Sequence, residues 1–402
     1  MRILFVNTFY YPNMEGGAEQ SVKLLAEGLA KAGHIVAVYC ADSRDGRITE
    51  ENIHGIKVYR RTTGKFHLYK YTFMKSEVGR IEKVTQKLRC YYNPECVRDF
   101  EEICDSFQPD VVHTNTLYGI PRSVWKAAHK KGIAVVHTIR DISIVSPVQY
   151  GHGISPLVVK AHQKYVCSVS KYVDAVTAPS AYTLNTSLAT GCMQNARFQE
   201  VIFNSVSLNA EELHAVLAEK RSRTNPKIKF MFAGRLVYFK GIENMLRAFE
   251  QVSDRDCELH ICGGGEMAED VKRWAQKDPR IRYCGRLNHD ELRSKYLECD
   301  VLLVPSVWPE PFGRVIIEGA LHGMPVIAGN MGGIPEIYRE MPVGRLVDAT
   351  NAAELAEAMM EYTHRDRFTA CFDAIEQNIG KFGMDIQLSG FEDLYRRMME
   401  CK

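Results

Sequence analysis

The chain has 402 residues, of which 46% are hydrophobic and 25% are charged, and its net charge at neutral pH is +2. This length predicts two or three domains, and the balanced charge gives no overall reason to expect binding to nucleic acid. Twelve cysteines without a CxxC pair indicate reduced, mostly buried thiols in a cytoplasmic protein. No segment reaches the roughly 18 apolar residues of a membrane-spanning helix, and residues 1–7 fit a first buried strand rather than a signal peptide.

The N-terminal half alternates short apolar runs with amphipathic segments. Runs rich in β-branched residues predict strands at 3–6, 34–40, 109–114, 133–138 and 175–178. Apolar residues spaced three and four apart predict helices at about 18–31 and 121–131. Continuous apolar strands of this kind are typical of a parallel sheet that is covered on both faces.

The C-terminal half repeats this pattern. Strands are predicted at 228–233, 257–262, 281–284, 301–304 and 326–328, with a helix from about Glu243. Two successive series of strand and helix predict an α/β protein with two Rossmann-like domains, whose ligand lies between them at the carboxyl ends of the strands. The polar stretch 204–226 is the predicted hinge, and residues 384–402 are predicted to be helical.

The segment 305–327 combines a loop rich in proline and glycine with a short helix and an apolar strand. We expect the helix to begin near Gly313, and Gly323 with Pro325 to end it. The amides of residues 312–315 then lack intrahelical acceptors, so this end of the helix favours anions and polar oxygens.

Two carboxylates flank these amides. Glu310 lies in the loop before the helix, and Glu318 lies about one turn inside it. Carboxylates at different depths with amides between them suit a polyhydroxyl ligand that carries a phosphate. The alternative is that Glu310 caps the helix and that Glu318 is a solvated surface acid.

The loop Gly234–Gly241 follows the first strand of this half and carries two cations, Arg235 and Lys240. Arginine binds phosphate in a bidentate manner, and lysine supplies a mobile point charge. Both would stabilise the charge that develops on a leaving diphosphate without a metal. The loop is not a Walker A motif, because neither Ser nor Thr follows Lys240. The alternative is a surface loop with two solvated cations.

Two further glycine turns lie between a strand and a helix. Gly263-x-Gly265 with Ala268 matches a dinucleotide fingerprint only weakly, because it follows the second strand of its half rather than the first. We interpret it as a close backbone approach near a nucleotide. Gly16 and Gly17 lie between the first strand and the first helix, where small residues allow a ligand to approach the helix.

Pro309-Glu310-Pro-Phe-Gly313 together with Glu318 forms a Glu-x7-Glu motif that resembles the signature of retaining nucleotide-sugar glycosyltransferases of family 4. The resemblance extends over nearly the whole chain. It implies the GT-B fold, in which two Rossmann-like domains face each other across a cleft. It also implies an acceptor-binding domain at 1–205, a donor-binding domain at 206–383, and a C-terminal helix at 384–402 that returns to the N-terminal domain.

The resemblance implies a role for each motif. Arg235 and Lys240 would bind the diphosphate, while Glu310 would bind hydroxyls of the donor sugar. Other residues would line the donor through their backbone or side chains, with Glu318 on the ribose: Gly16, Gly17, Gly234, Gly264, Arg286, Leu287, Phe312, Gly313, Arg314, Val315 and Glu318. The acceptor would attack from the front face, assisted by the leaving diphosphate, with no metal and no cofactor besides the nucleoside diphosphate sugar as co-substrate.

One motif departs from the family pattern. Many relatives have Thr-x-His-Asp where this chain has Thr138-Ile-Arg140-Asp141. Arg140 does not titrate, so it cannot shuttle a proton as histidine does. It could instead hold an anionic group, either on an acidic donor sugar or as an acceptor phosphate, and Arg140 and Asp141 count as candidate catalytic residues. We interpret His113 and His137, which also end strands, as structural.

Residues 57–98 contain eleven Lys and Arg against three Asp and Glu, with seven aromatic residues between them. A basic and aromatic segment suits an anionic membrane surface. This interpretation places the protein at the inner face of the cell membrane and favours a lipid-linked acceptor. The alternative is a solvated helix pair with buried aromatic side chains.

We therefore predict a retaining glycosyltransferase that moves a hexosyl-type unit from a nucleoside diphosphate sugar to a saccharide or lipid-linked acceptor, in the synthesis of a cell-surface polysaccharide or glycolipid. Three alternatives stay open: a GT-B sugar-nucleotide epimerase, a non-catalytic nucleotide-sugar binding protein, and a dehydrogenase that binds NAD at 263–268. The two cations of the loop Gly234–Gly241 and the intact pair Glu310 and Glu318 argue against the first two, although Arg140 leaves some room for the second.

Overall fold

The chain divides into two compact units. Unit 1 is formed by Met1–Ser205 together with Met384–Lys402, and unit 2 is formed by Val206–Gly383. The chain therefore leaves unit 1 once and returns to it for its last helix. The computed structural model describes residues 1–14, 16–43, 49–61, 79, 87–147, 155–225, 227–253 and 256–401.

Eight strands form the sheet of unit 1: β1 Arg2–Asn7, β2 Ile35–Cys40, β3 Thr49–Ile53, β4 Ile56–Arg60, β5 Val111–Thr114, β6 Ala134–Thr138, β7 Ala175–Ala178 and β8 Phe198–Val201. Their order across the sheet is β3-β4-β2-β1-β5-β6-β7-β8, and β3 with β4 forms an antiparallel hairpin at the edge of an otherwise parallel sheet. The parallel sheet confirms the sequence prediction. The sequence analysis did not predict the hairpin, because β3 is polar and largely exposed.

In its described part, unit 1 contains six helices: α1 Gly17–Lys31, α2 Pro94–Phe107, α3 Ser123–Lys130, α4 Pro156–Ser170, α5 Ala181–Leu188 and the C-terminal helix Met384–Glu400. The C-terminal helix packs closely on α1, because Gly28 leaves room: a Cβ there would lie 2.9 Å from Leu388 Cδ2. Phe391 and Leu394 are buried in the same core as α1. Burial of each such side chain contributes roughly 1.5–3 kcal/mol.

Strand side chains alternate between two hydrophobic cores. In β1, Ile3 belongs to the core beneath α1 and the C-terminal helix. Leu4 belongs to a second core that includes Phe100 of α2 and Trp125 of α3. Helices thus cover both faces of the sheet, as continuous apolar strands predict.

Six parallel strands form the sheet of unit 2: β9 Ile228–Ala233, β10 Cys257–Cys262, β11 Ile281–Gly285, β12 Val301–Val304, β13 Val326–Gly329 and β14 Gly344–Val347. Their order is β11-β10-β9-β12-β13-β14. The described helices are α6 Ala210–Ser222, α7 Ile242–Gln251, α8 Ala268–Lys277, α9 His289–Glu298, α10 Arg314–Leu321, α11 Ile334–Glu340, α12 Ala352–Glu361 and α13 Phe368–Asn378. Short 3₁₀ turns span Tyr238–Lys240, Arg365–Arg367 and Ile379–Phe382. The five strands predicted from the sequence are confirmed.

Each sheet contains a topological switch point. In unit 2, β9 lies between β10 and β12. After β9 the chain adds β10 and β11 on one side, and it then adds β12, β13 and β14 on the other side. In unit 1, β1 lies between β2 and β5 in the same way. Loops at the carboxyl ends of such strand pairs diverge and leave a crevice, which is where open parallel sheets bind ligands.

Candidate functional site

At the switch point of unit 2, the loop after β9 passes directly against the loop after β12. Gly241 has a left-handed backbone conformation with φ +73°, and a Cβ there would lie 1.8 Å from the carbonyl oxygen of Pro305. Only glycine fits this position. The close approach brings Lys240 to Glu310, with 2.7 Å between Lys240 Nζ and Glu310 Oε1.

Glu310 is a nearly buried carboxylate held by two donors. Its side chain is 14% exposed, and Ser306 Oγ and Lys240 Nζ both donate hydrogen bonds to Oε1. Burial by itself raises the pKa of the Glu310 carboxyl, but the Lys240 ammonium, the Ser306 hydroxyl and the charge of Arg235 outweigh burial and lower the pKa. Glu310 is therefore ionised at neutral pH and acts only as a hydrogen-bond acceptor.

The glycine pair after β13 fixes the backbone of Glu310. The amide of Gly333 donates to the carbonyl oxygen of Glu310 at 2.8 Å. Gly332 has φ +63°, and a Cβ there would lie 2.4 Å from the same carbonyl oxygen and 2.6 Å from the Glu310 amide nitrogen. The conformation of the Glu310 loop thus depends on a residue without a side chain more than twenty positions away.

Helix α10 begins at Arg314 with Gly313 as its N-cap, which confirms the predicted start. Glu318 pairs within this helix, since Arg314 Nε donates to Glu318 Oε1 at 2.8 Å. The Glu318 side chain is 33% exposed, so it is neither buried like Glu310 nor fully solvated. Phe312 is buried, and Val315 is half-buried.

The Gly263-Gly-Gly265 turn makes close backbone contacts with the loop after β9. A Cβ at Gly263 would lie 1.8 Å from the carbonyl oxygen of Gly234, and one at Gly265 would lie 2.4 Å from that of Leu236. These glycines therefore let the loop after β10 pack on the loop after β9 and do not themselves require a nucleotide. Gly264 is the member of the turn that faces open space, since a Cβ there would meet no atom within 4 Å.

The turn after β11 joins this group of loops. The amide of Gly263 donates to the carbonyl oxygen of Gly285 at 2.7 Å. Arg286 follows as an exposed side chain and Leu287 as a half-buried one. The structure therefore brings together the loops that carry Gly234, Arg235, Lys240, Gly264, Arg286, Leu287 and Glu310.

In unit 1, the start of α1 is open at its glycines. Gly16 is exposed, a Cβ there would meet no atom within 4 Å, and its amide donates to Glu19 Oε2 at 2.9 Å. Gly17 is the first residue of the helix. Earlier in the same loop, a buried ion pair between Arg60 and Asp42 holds the backbone of Tyr10: the Tyr10 amide donates to Asp42 Oδ2, and Arg60 Nη1 donates to the Tyr10 carbonyl oxygen.

Arg140 is buried at the carboxyl edge of the sheet of unit 1. Its Nε donates to Asn115 Oδ1 at 2.7 Å, and its Nη1 donates to Asn204 Oδ1 at 2.6 Å. Asp141 accepts a hydrogen bond from the amide of Ser143 at 2.8 Å and so stabilises the following turn. One oxygen of the Asp141 carboxylate, a predicted catalytic group, is thus already engaged in a hydrogen bond within unit 1.

His113 and His137 have structural contacts. His113 shares hydrogen bonds of 2.6 Å with Tyr395 of the C-terminal helix and with Thr138. His137 shares one of 2.9 Å with Thr114. Burial, aided by the charge of Arg140, lowers the pKa of both rings, to about 3 for His137. Both are neutral at physiological pH, which agrees with a structural role.

Most of the basic segment 57–98 lies outside the described residues. Of its described aromatic side chains, Tyr59 is buried, Tyr91 shares a 2.7 Å hydrogen bond with His162 of α4, and Tyr92 is 77% exposed. Tyr59 is therefore not available to a membrane. Across the described ranges, no helix combines the length and apolarity needed to span a bilayer.

Sequence reasoning missed three residues that organise these sites: Ser306, Asn115 and Asn204. Each lies just beyond a strand end, which was the available signal. Ser306 lies within the segment 305–327, but it is an uncharged residue among more conspicuous ones, and Asn115 and Asn204 belong to no charged or glycine-rich motif. Among the described residues, no three His, Cys, Asp or Glu side chains come together as metal ligands would. Metal independence remains a prediction.

Two family models match this chain. The model described as Glycosyltransferase Family 4 matches residues 15–208, and the model described as Glycosyl transferases group 1 matches residues 217–375. A protein in the cps region of Klebsiella pneumoniae is 30% identical over 351 residues, which cover 85% of this chain and 88% of that protein.

Solved structures show the same fold. Sucrose-phosphate synthase from Thermosynechococcus elongatus has a TM-score of 0.73 and 19% identity, with 100% of both chains covered. The Anabaena protein HepE in complex with UDP has a TM-score of 0.71 and 17% identity over 99% of this chain and 100% of that one. HepE has also been solved with UDP-glucose. The dehydrogenase interpretation finds no support in these relatives, and the chain belongs to the family 4 glycosyltransferases of the GT-B fold.

Proposed function

We propose that this glycosyltransferase transfers a sugar from a nucleoside diphosphate sugar to a saccharide or lipid-linked acceptor, with retention of anomeric configuration and without a metal. The observation that carries the proposal is the Lys240–Glu310 pair at the switch point of unit 2, 2.7 Å apart. It combines a cation and an ionised carboxylate where a parallel sheet binds its ligand.

The opposite charges of Lys240 and Glu310 suit the diphosphate and the sugar, the two groups joined by the bond that breaks. Lys240 and the neighbouring Arg235 can stabilise the negative charge that develops on the leaving diphosphate. Glu310, whose pKa is lowered, can only accept hydrogen bonds, which matches the hydroxyl donors of a sugar. A protonated Glu310 would present a donor to those hydroxyls instead.

Glu318 and the turn after β11 are proposed to hold the nucleoside. Glu318 lies on α10 with a third of its side chain exposed, so it can accept from the ribose hydroxyls if Arg314 turns towards a phosphate. Arg286 and Leu287 would contact the base. The complexes of HepE with UDP and UDP-glucose support a nucleotide-sugar donor for this chain.

We propose front-face substitution as the mechanism. The bond between the anomeric carbon and the diphosphate oxygen breaks, and its electron pair stays on the diphosphate. The acceptor hydroxyl oxygen bonds to the anomeric carbon from the same face, and its proton passes to the departing diphosphate. Glu310, engaged by Lys240 and Ser306, positions the sugar rather than attacking it.

Thermal shift with UDP, GDP, ADP, CDP and NAD tests the donor site. We expect one diphosphate to stabilise the wild type, with little or no effect on Lys240→Ala or Glu318→Ala. Lys229→Ala is the matched control, because Lys229 also forms a 2.7 Å ion pair, with Glu298, outside the proposed site. Stabilisation of all four proteins alike, or of none, would contradict the proposal.

A second measurement separates catalysis from binding alone. Slow hydrolysis of the sugar conjugate of the best diphosphate, with the α-configured sugar released first from an α-configured donor, is expected of a retaining transferase. A non-catalytic binding protein would leave the conjugate intact, and an epimerase would return a changed sugar nucleotide.

A lipid-linked acceptor requires contact with a membrane surface. Exposed apolar side chains occur at Leu157, on the first turn of α4, and at Tyr92, whose neighbour Tyr91 contacts α4. Lys160 and Lys164 of α4 are exposed as well. Apolar side chains among cations suit an anionic bilayer, so we propose peripheral attachment at the inner face of the cell membrane.

Liposome flotation tests this attachment. Wild-type protein should float with vesicles containing anionic lipid, and the double variant Leu157→Ser with Tyr92→Ser should not. Ile386→Ser removes another exposed apolar residue, 56% exposed, from the C-terminal helix and should behave as the wild type. Equal flotation of all three proteins would rule out this surface.

A further inference from the structure

The carboxyl ends of β10 and β11 bring two cysteine thiols together at the edge of the sheet of unit 2. Ile261 lies opposite Tyr283, but the next residue, Cys262, lies opposite Gly285. Cys284 is therefore the extra residue at a register shift, next to Cys262. Neighbouring strands lie about 4.8 Å apart, and a disulfide spans roughly 4.4–6.8 Å between its two Cα atoms. The spacing of the strands thus allows a bridge between these two cysteines.

The side chains of both cysteines point to the same face of the sheet. Successive side chains of a strand alternate between faces, so Cys262 shares its face with His260. The ring of His260 and the thiol of Cys262 both form hydrogen bonds with Cys284. The two sulfur atoms are therefore already in contact, and a bridge requires only a short further approach.

Cys284 is the more reactive member of the pair. It is half-buried on β11, the outermost strand of its sheet, whereas Cys262 is only 3% exposed. Lys295 of α9 adds a cation on this face, with its Nζ 3.4 Å from His260 Nδ1. The hydrogen bond from Cys262, together with the His260 ring and the Lys295 charge, lowers the pKa of the Cys284 thiol against the effect of burial. The thiolate is the form that attacks an oxidant.

A thiol pair in unit 1 has the opposite electrostatics. Cys167 and Cys192 also share a hydrogen bond. Burial, followed by the effect of Cys192, raises the pKa of the Cys167 thiol. Cys192 is fully buried, and its Sγ donates to the carbonyl oxygen of Gln163 at 3.5 Å. This pair should therefore react slowly, and it serves as an internal control for contact between thiols alone.

We propose that Cys262 and Cys284 form a site of reversible oxidation, at which a peroxide converts the two thiols into a disulfide. The Cys284 thiolate attacks one oxygen of hydrogen peroxide, the O–O bond breaks, and hydroxide leaves, which gives a sulfenic acid. The Cys262 sulfur then attacks the Cys284 sulfur, and the S–O bond breaks as a second hydroxide leaves. The two thiols lose two electrons and two protons, and the peroxide is reduced to two molecules of water. A dithiol reductant restores both thiols by exchange.

Treatment of the reduced full-length protein with hydrogen peroxide tests the proposal. The remaining thiols are then alkylated, and the digest is analysed by mass spectrometry with and without a reductant. We expect a peptide pair joined through Cys262 and Cys284, which forms about tenfold or more faster than a pair joined through Cys167 and Cys192. Equal rates for the two pairs, or no bridge between Cys262 and Cys284, would overturn the proposal.

Two serine variants identify the sulfur atoms that react. Cys257 lies on β10 five positions before Cys262, so its side chain points to the opposite face of the sheet. Cys257→Ser should therefore keep the bridge. Cys262→Ser should abolish it and leave Cys284 as a sulfenic acid that dimedone traps. A bridge to Cys284 that persists in Cys262→Ser would show that another thiol is its partner, which would contradict the inference.

The site adjoins the proposed donor site, but its test needs no nucleotide. Cys262 and Cys284 immediately precede Gly263 and Gly285, whose backbone hydrogen bond of 2.7 Å joins two loops of the donor site. Mass alone identifies the bridge, whereas thermal stabilisation of the reduced protein by a nucleoside diphosphate tests the proposed function. A protein that binds the diphosphate and forms no bridge would remove the inference and keep the function. A protein that forms the bridge and binds no diphosphate would do the reverse.

Discussion

Both units bury a charged side chain at the carboxyl edge of a parallel sheet, and different kinds of group donate to or accept from the two side chains. In unit 2, Glu310 is matched by Lys240 and the Ser306 hydroxyl. In unit 1, Arg140 is held by two neutral amides, Asn115 and Asn204. A charge that is already paired is poised for exchange with a ligand of mixed charge, such as a sugar diphosphate.

The two edges are also assembled differently. The loops of unit 2 interlock through backbone contacts at glycines such as Gly241 and Gly332, where no side chain fits. The edge of unit 1 is assembled from side-chain hydrogen bonds that run from Tyr395 through His113 to Thr138. Adding a single methyl group at one of these glycines should therefore disrupt the edge of unit 2. Removing a single polar atom from one of these hydrogen bonds should disrupt the edge of unit 1.

The largest expected effect follows from removing the cation of the paired edge. In Lys240→Ala, Glu310 keeps its burial but loses its main counter-charge, so the pKa of its carboxyl should rise. Loss of charge stabilisation at the diphosphate should reduce transfer or donor hydrolysis by about 10²-fold or more. Steady-state kinetics measures this loss, and chemical denaturation should show a destabilisation of up to about 3 kcal/mol.

Lys229→Ala provides the comparison for this variant. Lys229 and Glu298 are also 2.7 Å apart, but their side chains are 26% and 37% exposed. Solvent screens such a pair, so its removal should cost about 0–1 kcal/mol and leave the rate unchanged. A similar loss of rate in both variants would mean that Lys240 acts only through stability.

The second prediction concerns the backbone contact that holds Glu310. Gly332→Ala would place a Cβ 2.4 Å from the Glu310 carbonyl oxygen, at a residue with φ +63°. The clash and the strain together should cost at least about 2 kcal/mol, and movement of the Glu310 loop should lower activity beyond the loss of folded protein. Thermal unfolding and the specific activity of the folded fraction measure the two effects.

Gly132→Ala isolates the strain from the clash. Gly132 has φ +72°, but no atom lies within 4 Å of a Cβ there. Its replacement should cost only about 1 kcal/mol and leave activity intact. If Gly332→Ala is no worse than Gly132→Ala, the contact with Glu310 is not what the glycine provides.

The sequence predicted the edge of unit 2 far better than that of unit 1. Glycines, prolines and charged residues in unit 2 lie close together in the sequence, so the string from Pro309 to Glu318 could be interpreted without the fold. The contact of Gly332 with Glu310 was out of reach, since strand β13 had to be placed first. Arg140 was found only as a departure from a family pattern.

The partners of Arg140 could not be predicted at all. Asn115 and Asn204 are separated by almost ninety residues and meet only because β5, β6 and β8 belong to one sheet. The hydrogen bond between Tyr395 and His113 depends on the return of the C-terminal helix to unit 1. Single polar residues carry no sequence signal of this kind, because their role is set by tertiary contacts rather than by local pattern.

The third prediction uses pH to address the two edges separately. His137 has a pKa of about 3 in the folded protein against 6.5 for an ordinary histidine, chiefly because it is buried. The unfolded chain therefore takes up a proton first as the pH falls, so stability is complete above pH 6.5 and is lost towards pH 3. At pH 5 this one group should cost about 2 kcal/mol, a loss that His137→Gln should remove.

Glu310 has a different window. Its pKa is lowered from 4.5, so its contribution to stability is present above pH 4.5 and is lost as the pH falls further. Denaturation between pH 7 and 5 should thus respond to His137→Gln and hardly to Glu310→Gln, whereas below pH 4.5 both substitutions should change the profile. Identical profiles for the two variants would show that the edges do not titrate independently.

The smallest expected effect tests the side-chain assembly of unit 1. Tyr395→Phe removes one oxygen and leaves a ring nitrogen of His113 without its 2.6 Å partner in a fully buried position. The unmet hydrogen bond should cost about 1–2 kcal/mol, measurable by denaturation, whereas Tyr92→Phe at an exposed site should cost nothing. Because His113 and its second partner Thr138 both belong to unit 1, the same variant should leave nucleotide binding by unit 2 unchanged. If Tyr395→Phe is as stable as the wild type, the hydrogen bond between Tyr395 and His113 does not contribute to the stability of unit 1.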